Sequence, residues 1–170
     1  MTTYRIVPET SDHAAAVDDL VARSFGAGRN RKTVYRLRER TVPLGHLCFV
    51  ALDPDERVLA ALRFYPVRAG ETPAILLGPL AVEPAIRGQG VGRSLVRHGL
   101  DTARDAGEAL CLVVGDPRYY APYGFEAAVR HGLVLPGPVD PRRFQVAALQ
   151  PGALARARGV VSADPARAGS

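Results

Sequence analysis

Apolar residues recur at helical spacing in three parts of the chain. The first, residues 10–25, and the second, residues 30–40, predict two helices, of which the second is strongly basic. The third predicts a helix that begins near Val91 and ends at Gly107. The chain therefore contributes two predicted helices near its start and one near its middle.

Apolar runs bounded by turn residues predict the strands. A hairpin is predicted over residues 44–70, and a long strand over residues 72–84 is interrupted by Gly78 and Pro79, since proline has no amide hydrogen to donate. Further strands are predicted at residues 3–8, 108–115, 127–137, 143–150 and 159–162. Strands flanked by helices, without repeats or a linker, indicate one α/β or α+β domain over residues 1–170.

Composition fits an ordinary globular protein. Of the 170 residues, 47% are hydrophobic and 23% are charged. No apolar run approaches the roughly 20 residues of a membrane span, and the first residues lack the basic and apolar regions of a secretory signal. Cys48 and Cys111 lie in apolar runs, which favours buried free thiols over a disulfide or a metal site. We expect a cytoplasmic protein with no metal and no membrane partner.

Charge adds one ambiguous feature. The formal net charge is +5, and the basic residues form one local cluster, which consists of Arg29, Arg31, Lys32, Arg36, Arg38 and Arg40. Such a cluster suits nucleic acid or a small polyanionic ligand, and it is equally typical of a solvated helix face. Scattered arginines, few aromatic residues and no nucleic-acid motif lead us to expect no nucleic-acid partner.

The most informative stretch lies at the start of the third predicted helix. The sequence RGQGVGR places Gly88, Gly90 and Gly92 between Arg87 and Arg93, at the start of the helix. The first amides of a helix have no partners within it, and the helix dipole is positive at this end, so an anion binds well there. Glycines let the anion approach the backbone, and arginines add charged donors.

Three anion-binding motifs compete for this stretch. A nucleotide-binding P-loop requires a lysine after its last glycine, and none follows here. A dinucleotide fingerprint has the spacing G-x-G-x-x-G, and here the third glycine comes one residue early. The pattern R-x-x-G-x-G is satisfied by Arg87, Gly90 and Gly92.

With this motif between a strand and a helix, the chain resembles the GCN5-related N-acetyltransferases, the GNAT family. The resemblance extends over nearly the whole chain, and it includes a tyrosine four residues before Gly124 and Phe125. The element GDPRYYAPYGF resembles one subgroup of bacterial acetyltransferases. The resemblance implies a GNAT fold, in which a mixed, mostly antiparallel sheet flanked by helices is splayed where acetyl-CoA binds.

The resemblance also implies a set of functional residues. Tyr120 would protonate the departing thiolate, and the backbone amide of Val82 would polarise the thioester carbonyl. Tyr119 and Tyr123 could compete with Tyr120 for its role. The coenzyme would contact Leu80, Ala81, Val82, Arg87, Gly88, Gln89, Gly90, Val91, Gly92, Arg93, Asp116, Tyr119 and Tyr123.

The general base is not evident from the sequence. Glu83 follows the splayed strand and is the weak candidate, although the proline after it favours a turn role. Asp116 resembles the cap of a turn. His46, His98 and His131 do not stand out, and Val113 replaces an asparagine that many family members carry before the tyrosine.

We therefore expect an enzyme that transfers an acetyl group from acetyl-CoA to a primary amine of an unidentified small molecule or protein. The alternative is a non-catalytic acyl-CoA-binding regulatory domain of the same fold. The acceptor would lie between the helix pair of residues 11–40, the turn after Gly115 and the late strands. Family analogy leaves a monomer or a homodimer open.

Overall fold

The computed structural model describes residues 2–25 and 33–167. Its helices are α1 (Ala14–Phe25), α2 (Thr33–Glu39), α3 (Val91–Asp105) and α4 (Pro117–Tyr120). Its strands are β1 (Arg5–Pro8), β2 (Phe49–Leu52), β3 (Val58–Ala69), β4 (Thr72–Val82), β5 (Leu110–Val114), β6 (Glu126–Ala127), β7 (Leu133–Val134), β8 (Phe144–Ala148) and β9 (Gly159–Ala163). The predicted cap Asn30 and the basic residues Arg29, Arg31 and Lys32 lie outside the described residues.

The strands form a mixed sheet in the order β1-β2-β3-β4-β5-β8-β6. Every neighbouring pair on this path is antiparallel except β4 and β5, which are parallel. Strand β9 pairs antiparallel with the end of β3 and parallel with β7. The mixed, mostly antiparallel sheet predicted from the sequence is confirmed.

Strands β4 and β5 separate soon after they meet. Only Ile75 and Leu76 of β4 pair with β5. Beyond them come Gly78, which has a φ of 125°, and Pro79. The ladder between β4 and β3 continues past this point with a shift in register opposite Arg63. The predicted interruption is therefore real on the β5 side, where a gap opens, whereas the β3 side stays paired through a bulge.

The two faces of the sheet bury different helices. On one face α3 covers alternate residues of β3, including Leu62 and Phe64. On the other face α1 buries Val17 against β2 and β3, while α2 buries Leu37 against the end of β3. Successive side chains of a strand point to opposite faces, so both faces of the sheet become core.

Gly99 brings α3 close to the sheet. A Cβ atom on Gly99 would lie 2.7 Å from the Phe64 ring and 2.9 Å from Leu62. We predict that Gly99→Ala lowers the free energy of unfolding by about 1–2 kcal/mol, because overpacking outweighs the helix propensity gained by alanine. Urea denaturation measures this, with Gly45→Ala as the matched control, since nothing lies within 4 Å of that Cβ position. Equal losses in the two variants would contradict the packing argument.

The late part of the chain differs from its prediction. A single strand was expected over residues 127–137, but β6 and β7 are two short strands separated by a 3-10 turn, Ala128–His131. Gly132 ends that turn with a φ of 71°, a conformation that a continuous strand does not contain. The predicted strand at residues 159–162 is confirmed as β9.

Other sequence expectations concern the cysteines and the basic cluster. Both cysteines are buried and free, and burial raises the pKa of the Cys48 thiol to about 11. Within the cluster, Arg36 and Arg40 are exposed, as expected of a solvated face, whereas Arg38 is turned inward. Among the described residues, no helix has the length and apolar character needed to cross a membrane.

Candidate active site

The N-terminus of α3 presents free backbone amides. Gly90 caps the helix with a φ of 85° and contributes no side chain, and Gly88 before it has a φ of 84°. Ser94 N–H is bonded to the carbonyl of Gly90, so the amides of Val91 to Arg93 have no partner within the helix. Nothing lies within 4 Å of the Cβ position of Gly88 or Gly90. The loop is therefore open to a ligand that needs amide donors.

Side chains of this loop contact the neighbouring segments on both sides of the glycines. Arg87 Nε donates a weak hydrogen bond of 3.4 Å to the carbonyl of Val82, at the end of β4. The Arg93 guanidinium stacks over the Tyr119 ring, 5.0 Å from its centroid. Gln89 Oε1 accepts a hydrogen bond of 3.1 Å from the Thr2 amide. The two arginines thus place positive charge on either side of the glycines.

Gly92 joins this loop to the rest of the site. A Cβ atom at this position would lie 3.0 Å from the Tyr119 hydroxyl oxygen and 3.2 Å from Val82 Cγ2. The absence of a side chain therefore lets α4 and the end of β4 approach the first turn of α3. The structure brings together three regions that the sequence analysis had assigned to one ligand.

The separated edge of β4 also exposes backbone donors. Glu83 N–H donates to the carbonyl of Leu59 at 2.8 Å. Because alternate residues of an antiparallel strand turn their amides toward the same partner, the amide of Val82 turns away from β3. The amide of Leu80, two residues earlier, has the same orientation. Pairing with β5 ends at Leu76, so both amides face the gap. The intervening Ala81 is buried, and the side chains of Leu80 and Val82 pack on the core.

Tyr120 is the most buried tyrosine of the site. Its ring packs edge-on against Tyr119 at 4.9 Å and Phe125 at 5.7 Å between centroids. A Cβ atom on Gly115 would lie 2.5 Å from this ring, so glycine is needed there. Burial raises the pKa of Tyr120 well above its ordinary value, with smaller contributions from neighbouring tyrosines. The hydroxyl is therefore protonated at neutral pH.

The two neighbouring tyrosines lie closer to α3. Burial raises the pKa of Tyr119 to about 12. The Tyr123 hydroxyl donates a hydrogen bond of 3.2 Å to the carbonyl of Arg93, and the Arg97 guanidinium lies 4.7 Å from its ring centroid. Tyr123 lines a shallow pocket along α3, whereas Tyr119 and Tyr120 line a larger cavity beside the gap, here called the main cavity. The three candidates for one role thus occupy different environments.

A cavity of about 940 Å³ lies beside the gap between β4 and β5. Its walls come from α1, α2, the point where β4 leaves β5, and the segment that precedes β8. Val113, Asp116, Tyr119 and Tyr120 line the side that belongs to β5 and α4. Asp116 also caps α4, since its Oδ1 accepts from the amide of Arg118 at 2.9 Å. The cavity is the space that a substrate beside the β4 edge would enter.

Glu83 is placed outside the described lining of this cavity. Its carboxylate pairs with Arg23 of α1 at 2.7 Å. The hydrogen bond with Arg23 lowers the pKa of Glu83, with Coulombic attraction in the same direction, which weakens it as a base. The ion pair with Arg23 counts against Glu83 as proton acceptor, whereas the predicted turn role fits, because Glu83 precedes the 3-10 turn Pro84–Ile86.

The histidines considered as bases also lie elsewhere. His98 packs edge-on against Phe49 at 4.7 Å between centroids, and His131 pairs with Glu126. None of the histidines is among the described residues that line the main cavity. In the described residues no group of three or more histidine, cysteine or acidic side chains could hold a metal ion.

The sequence profile of the acetyltransferase (GNAT) family matches residues 14–123. The chain belongs to the GNAT family. The matched region includes the glycine loop, α3, the separated strands and Tyr120. The mixed, mostly antiparallel sheet flanked by helices is the GNAT fold expected from the resemblance.

Comparison with individual relatives agrees with this membership. The protein is 36% identical over 151 residues to a curated relative from Escherichia coli strain K12, "Uncharacterized N-acetyltransferase YhbS", with 87% of this chain and 89% of YhbS covered. The crystal structure of Escherichia coli YhbS in complex with CoA has a TM-score of 0.83 and 33% identity, and the match covers 96% of this chain and 91% of that one.

A second solved GNAT structure extends the comparison. The acetyltransferase from Brucella melitensis in complex with acetyl-CoA has a TM-score of 0.69 and 28% identity, with 98% of this chain and 99% of that chain covered. Both relatives thus hold the coenzyme or its acetylated form, and the GNAT fold predicted from the sequence is confirmed.

Several site residues escaped the sequence analysis. Gly115 had been noted only as the start of a turn, and the space it leaves for the Tyr120 ring depends on a contact made in three dimensions. Arg23 lies 60 residues from its partner Glu83, so neither periodicity nor motif spacing could connect them. Arg38 belonged to a cluster in which nothing distinguished it from its neighbours. The helical spacing of four residues from Val34, which also lines the cavity, was the available signal.

Proposed function

We propose that this protein transfers the acetyl group of acetyl-CoA to a primary amine of a small molecule or protein. The observation that carries the proposal is the juxtaposition of two sets of free amides, those of the α3 N-terminus and those of the β4 edge, of which the β4 edge borders the cavity. Such an arrangement suits a long ligand with phosphates at one end and an acyl group at the other. Relatives that hold CoA or acetyl-CoA support this choice of ligand.

The coenzyme would lie along two segments of the chain. The pyrophosphate would accept hydrogen bonds from amides between Arg87 and Arg93, a segment that includes Gly88, Gln89, Gly90, Val91 and Gly92. The pantetheine arm would follow the backbone of Leu80, Ala81 and Val82 in the gap. Asp116, Tyr119 and Tyr123 would border the coenzyme from the side of α4.

The reaction begins when the unprotonated amine attacks the thioester carbonyl carbon. A C–N bond forms, the carbonyl oxygen becomes an oxyanion, and the Val82 amide stabilises that charge. The C–S bond then breaks, and the thiolate of CoA takes a proton from the Tyr120 hydroxyl. The nitrogen releases its extra proton to solvent water, and the Tyr120 phenolate takes a proton back from water, so that amide and CoA thiol are the net products. An alkyl amine with a pKa near 10.4 needs about 4.6 kcal/mol to lose its proton at pH 7.

The runner-up function is a regulatory domain that binds acyl-CoA without turnover. The observation in its favour is that the described residues lining the cavity include neither Glu83, which pairs with Arg23, nor a histidine. Tyr120 favours catalysis, because it lines the cavity beside the gap, is protonated at neutral pH and can supply a proton to a thiolate released there.

Thiol release separates the two functions. The protein is mixed with acetyl-CoA and a panel of primary amines, and free CoA is detected with a thiol reagent. An acetyltransferase produces CoA and N-acetylated amine in equal amounts, whereas a binding domain produces neither. Absence of both products across small amines and exposed peptide amines, from protein that binds acetyl-CoA, would overturn the enzymatic proposal.

The proposal also covers the subgroup to which the chain belongs, its domain organisation and its location in the cell. We assign the chain to the bacterial acetyltransferases that carry the GDPxYYxxYGF element, which residues 115–125 match. A single domain over residues 1–170 is supported by the sheet that continues from β1 to β6 with core on both faces. Free buried cysteines are compatible with a reducing, cytoplasmic location.

A further inference from the structure

One cation of α2 points into the main cavity. Arg38 lines this cavity, and its Nε is buried without a hydrogen-bond partner among the described residues. Burial lowers the pKa of Arg38 to about 10, with only small opposing contributions from nearby tyrosines. A buried donor of this kind is costly unless a ligand or water satisfies it.

The surroundings of Arg38 contain no counter-ion in the described part of the chain. Its guanidinium carbon lies 5.9 Å from the ring centroid of Tyr65. Its Nη2 occupies the place that a side chain on Gly78 would fill, so it reaches the point where β4 leaves β5. Arg38 is also near enough to Tyr120 to interact with it electrostatically. The cation therefore stands beside the proposed site of transfer.

Other charges on the cavity wall already have partners or lie at its rim. Arg63 donates to Glu9 at 2.7 Å and to Asp18 at 3.1 Å, so this cation is neutralised. Asp140 pairs with Arg142 at 3.1 Å. The remaining described charges of the wall are Glu39 and Arg143, which are exposed, and Asp116, which caps α4. Among the described residues that line the cavity, Arg38 is thus the charged side chain that faces inward without an ion-pair partner.

The coenzyme does not account for this residue. Its phosphates would bind at the N-terminus of α3, which packs on one face of the sheet, whereas α2 packs on the other. Arg38 lies on the side from which the acceptor must approach the thioester in the gap. A ligand for Arg38 is therefore a part of the acceptor.

We infer that the acceptor amine carries an oxyanion group, a carboxylate or a phosphate, which Arg38 binds inside the cavity. The guanidinium presents several donors in one plane, a geometry that matches two oxygens of either group. Held there, the anion directs the amine toward the gap and Tyr120. This inference rests on the proposed function for the fate of the amine, but the binding of the anion is independent of turnover.

The first test measures binding to protein saturated with CoA. Saturation-transfer NMR is recorded for β-alanine and phosphoethanolamine, and for their uncharged counterparts β-alaninamide and ethanolamine. Wild type is expected to bind at least one anionic amine about 10-fold more tightly than its counterpart. Arg38→Gln abolishes this preference, whereas Arg38→Lys retains part of it. The response to each anionic amine distinguishes a carboxylate from a phosphate.

Arg40→Gln is the matched control, because it removes a positive charge from the exposed end of the same segment. It is expected to keep the wild-type preference, and CoA binding and thermal denaturation verify that each variant is folded. Equal binding of anionic and neutral amines by wild type, or an unchanged preference in Arg38→Gln, would overturn the inference.

Turnover with the same amines separates this inference from the proposed function. Arg38→Gln is expected to raise KM for the anionic amine about 10- to 100-fold, with a smaller change in kcat. Selective binding of an anionic amine without any thiol release would sustain the Arg38 site and contradict the acetyltransferase. Thiol release with no preference for anionic amines would sustain the enzyme and contradict the site.

Discussion

Replacing Gly90 by glutamate is expected to weaken acetyl-CoA binding by about 100-fold or more. The backbone there has a φ of 85°, and the space above it is open, so a carboxylate would stand where the pyrophosphate is proposed to bind. Juxtaposed like charges cost several kcal/mol, and each 1.4 kcal/mol changes an affinity about tenfold. Equilibrium dialysis with acetyl-CoA gives the dissociation constants of variant and wild type.

Gly107→Glu provides a closely matched control for this variant. Gly107 has a φ of 88° and nothing within 4 Å of its Cβ position, so the new side chain meets the same backbone strain. It follows the opposite end of α3, away from the glycine loop. It is expected to bind acetyl-CoA as wild type does. A similar loss in both variants would attribute the effect to strain and refute the assignment of the loop.

Tyr120→Phe is expected to lower kcat by about 100-fold while acetyl-CoA binding changes little. Proton donation by a positioned group typically contributes at least this factor. Because burial raises the pKa of Tyr120 above its ordinary value near 10, its neutral form is retained throughout the neutral and mildly alkaline range. Wild-type activity should therefore not fall between pH 7 and pH 9 through ionisation of this residue. Initial rates of thiol release over this range check both points.

Two further tyrosine variants show whether the loss of kcat is specific to the Tyr120 hydroxyl. Tyr119→Phe removes the hydroxyl that lies closest to Gly92, and it tests the competing assignment of the proton donor. Tyr4→Phe removes a hydroxyl that bonds Ser94 Oγ at 2.9 Å, and it serves as the control for the loss of a tyrosine hydroxyl. Tyr120 loses its assigned role if Tyr119→Phe lowers kcat and Tyr120→Phe does not.

The coenzyme region could be predicted from the sequence because its determinants are local. The glycines at the start of α3, their spacing from Arg87 and the interruption at Gly78 and Pro79 all lie in one continuous stretch, residues 78–92. A glycine with a positive φ or a proline without an amide hydrogen constrains the backbone wherever it occurs. The separation of β4 from β5 and the open loop follow from these constraints.

The acceptor side could not be predicted in the same way, because its determinants are contacts between distant segments. The sequence places Glu83 at the end of a strand but does not reveal its partner Arg23, whose hydrogen bond lowers the pKa of that carboxylate. It places Arg38 in a basic cluster but not the cavity toward which this side chain turns. The packing of α1 and α2 on the sheet decides both the pairing of Glu83 and the direction in which Arg38 turns.

The hydrophobic pattern also could not predict β6 and β7 as two separate short strands. β6 and β7 each contain 2 residues, too few for alternation to distinguish them from the turn between them. Their pairing with β8 and β9 is decided by segments that follow later in the chain. Apolar content alone therefore predicted one strand where the glycine at position 132 divides two.

Calorimetric titration of the wild-type protein with acetyl-CoA, with ATP and NAD as controls, tests the assignment of the glycine loop and gap most directly. The three ligands share a pyrophosphate, but only acetyl-CoA has an acylated arm for the β4 edge. Micromolar binding of acetyl-CoA, with ATP and NAD much weaker, is the predicted result. Failure of the folded protein to bind acetyl-CoA, or equal binding of all three ligands, would contradict it.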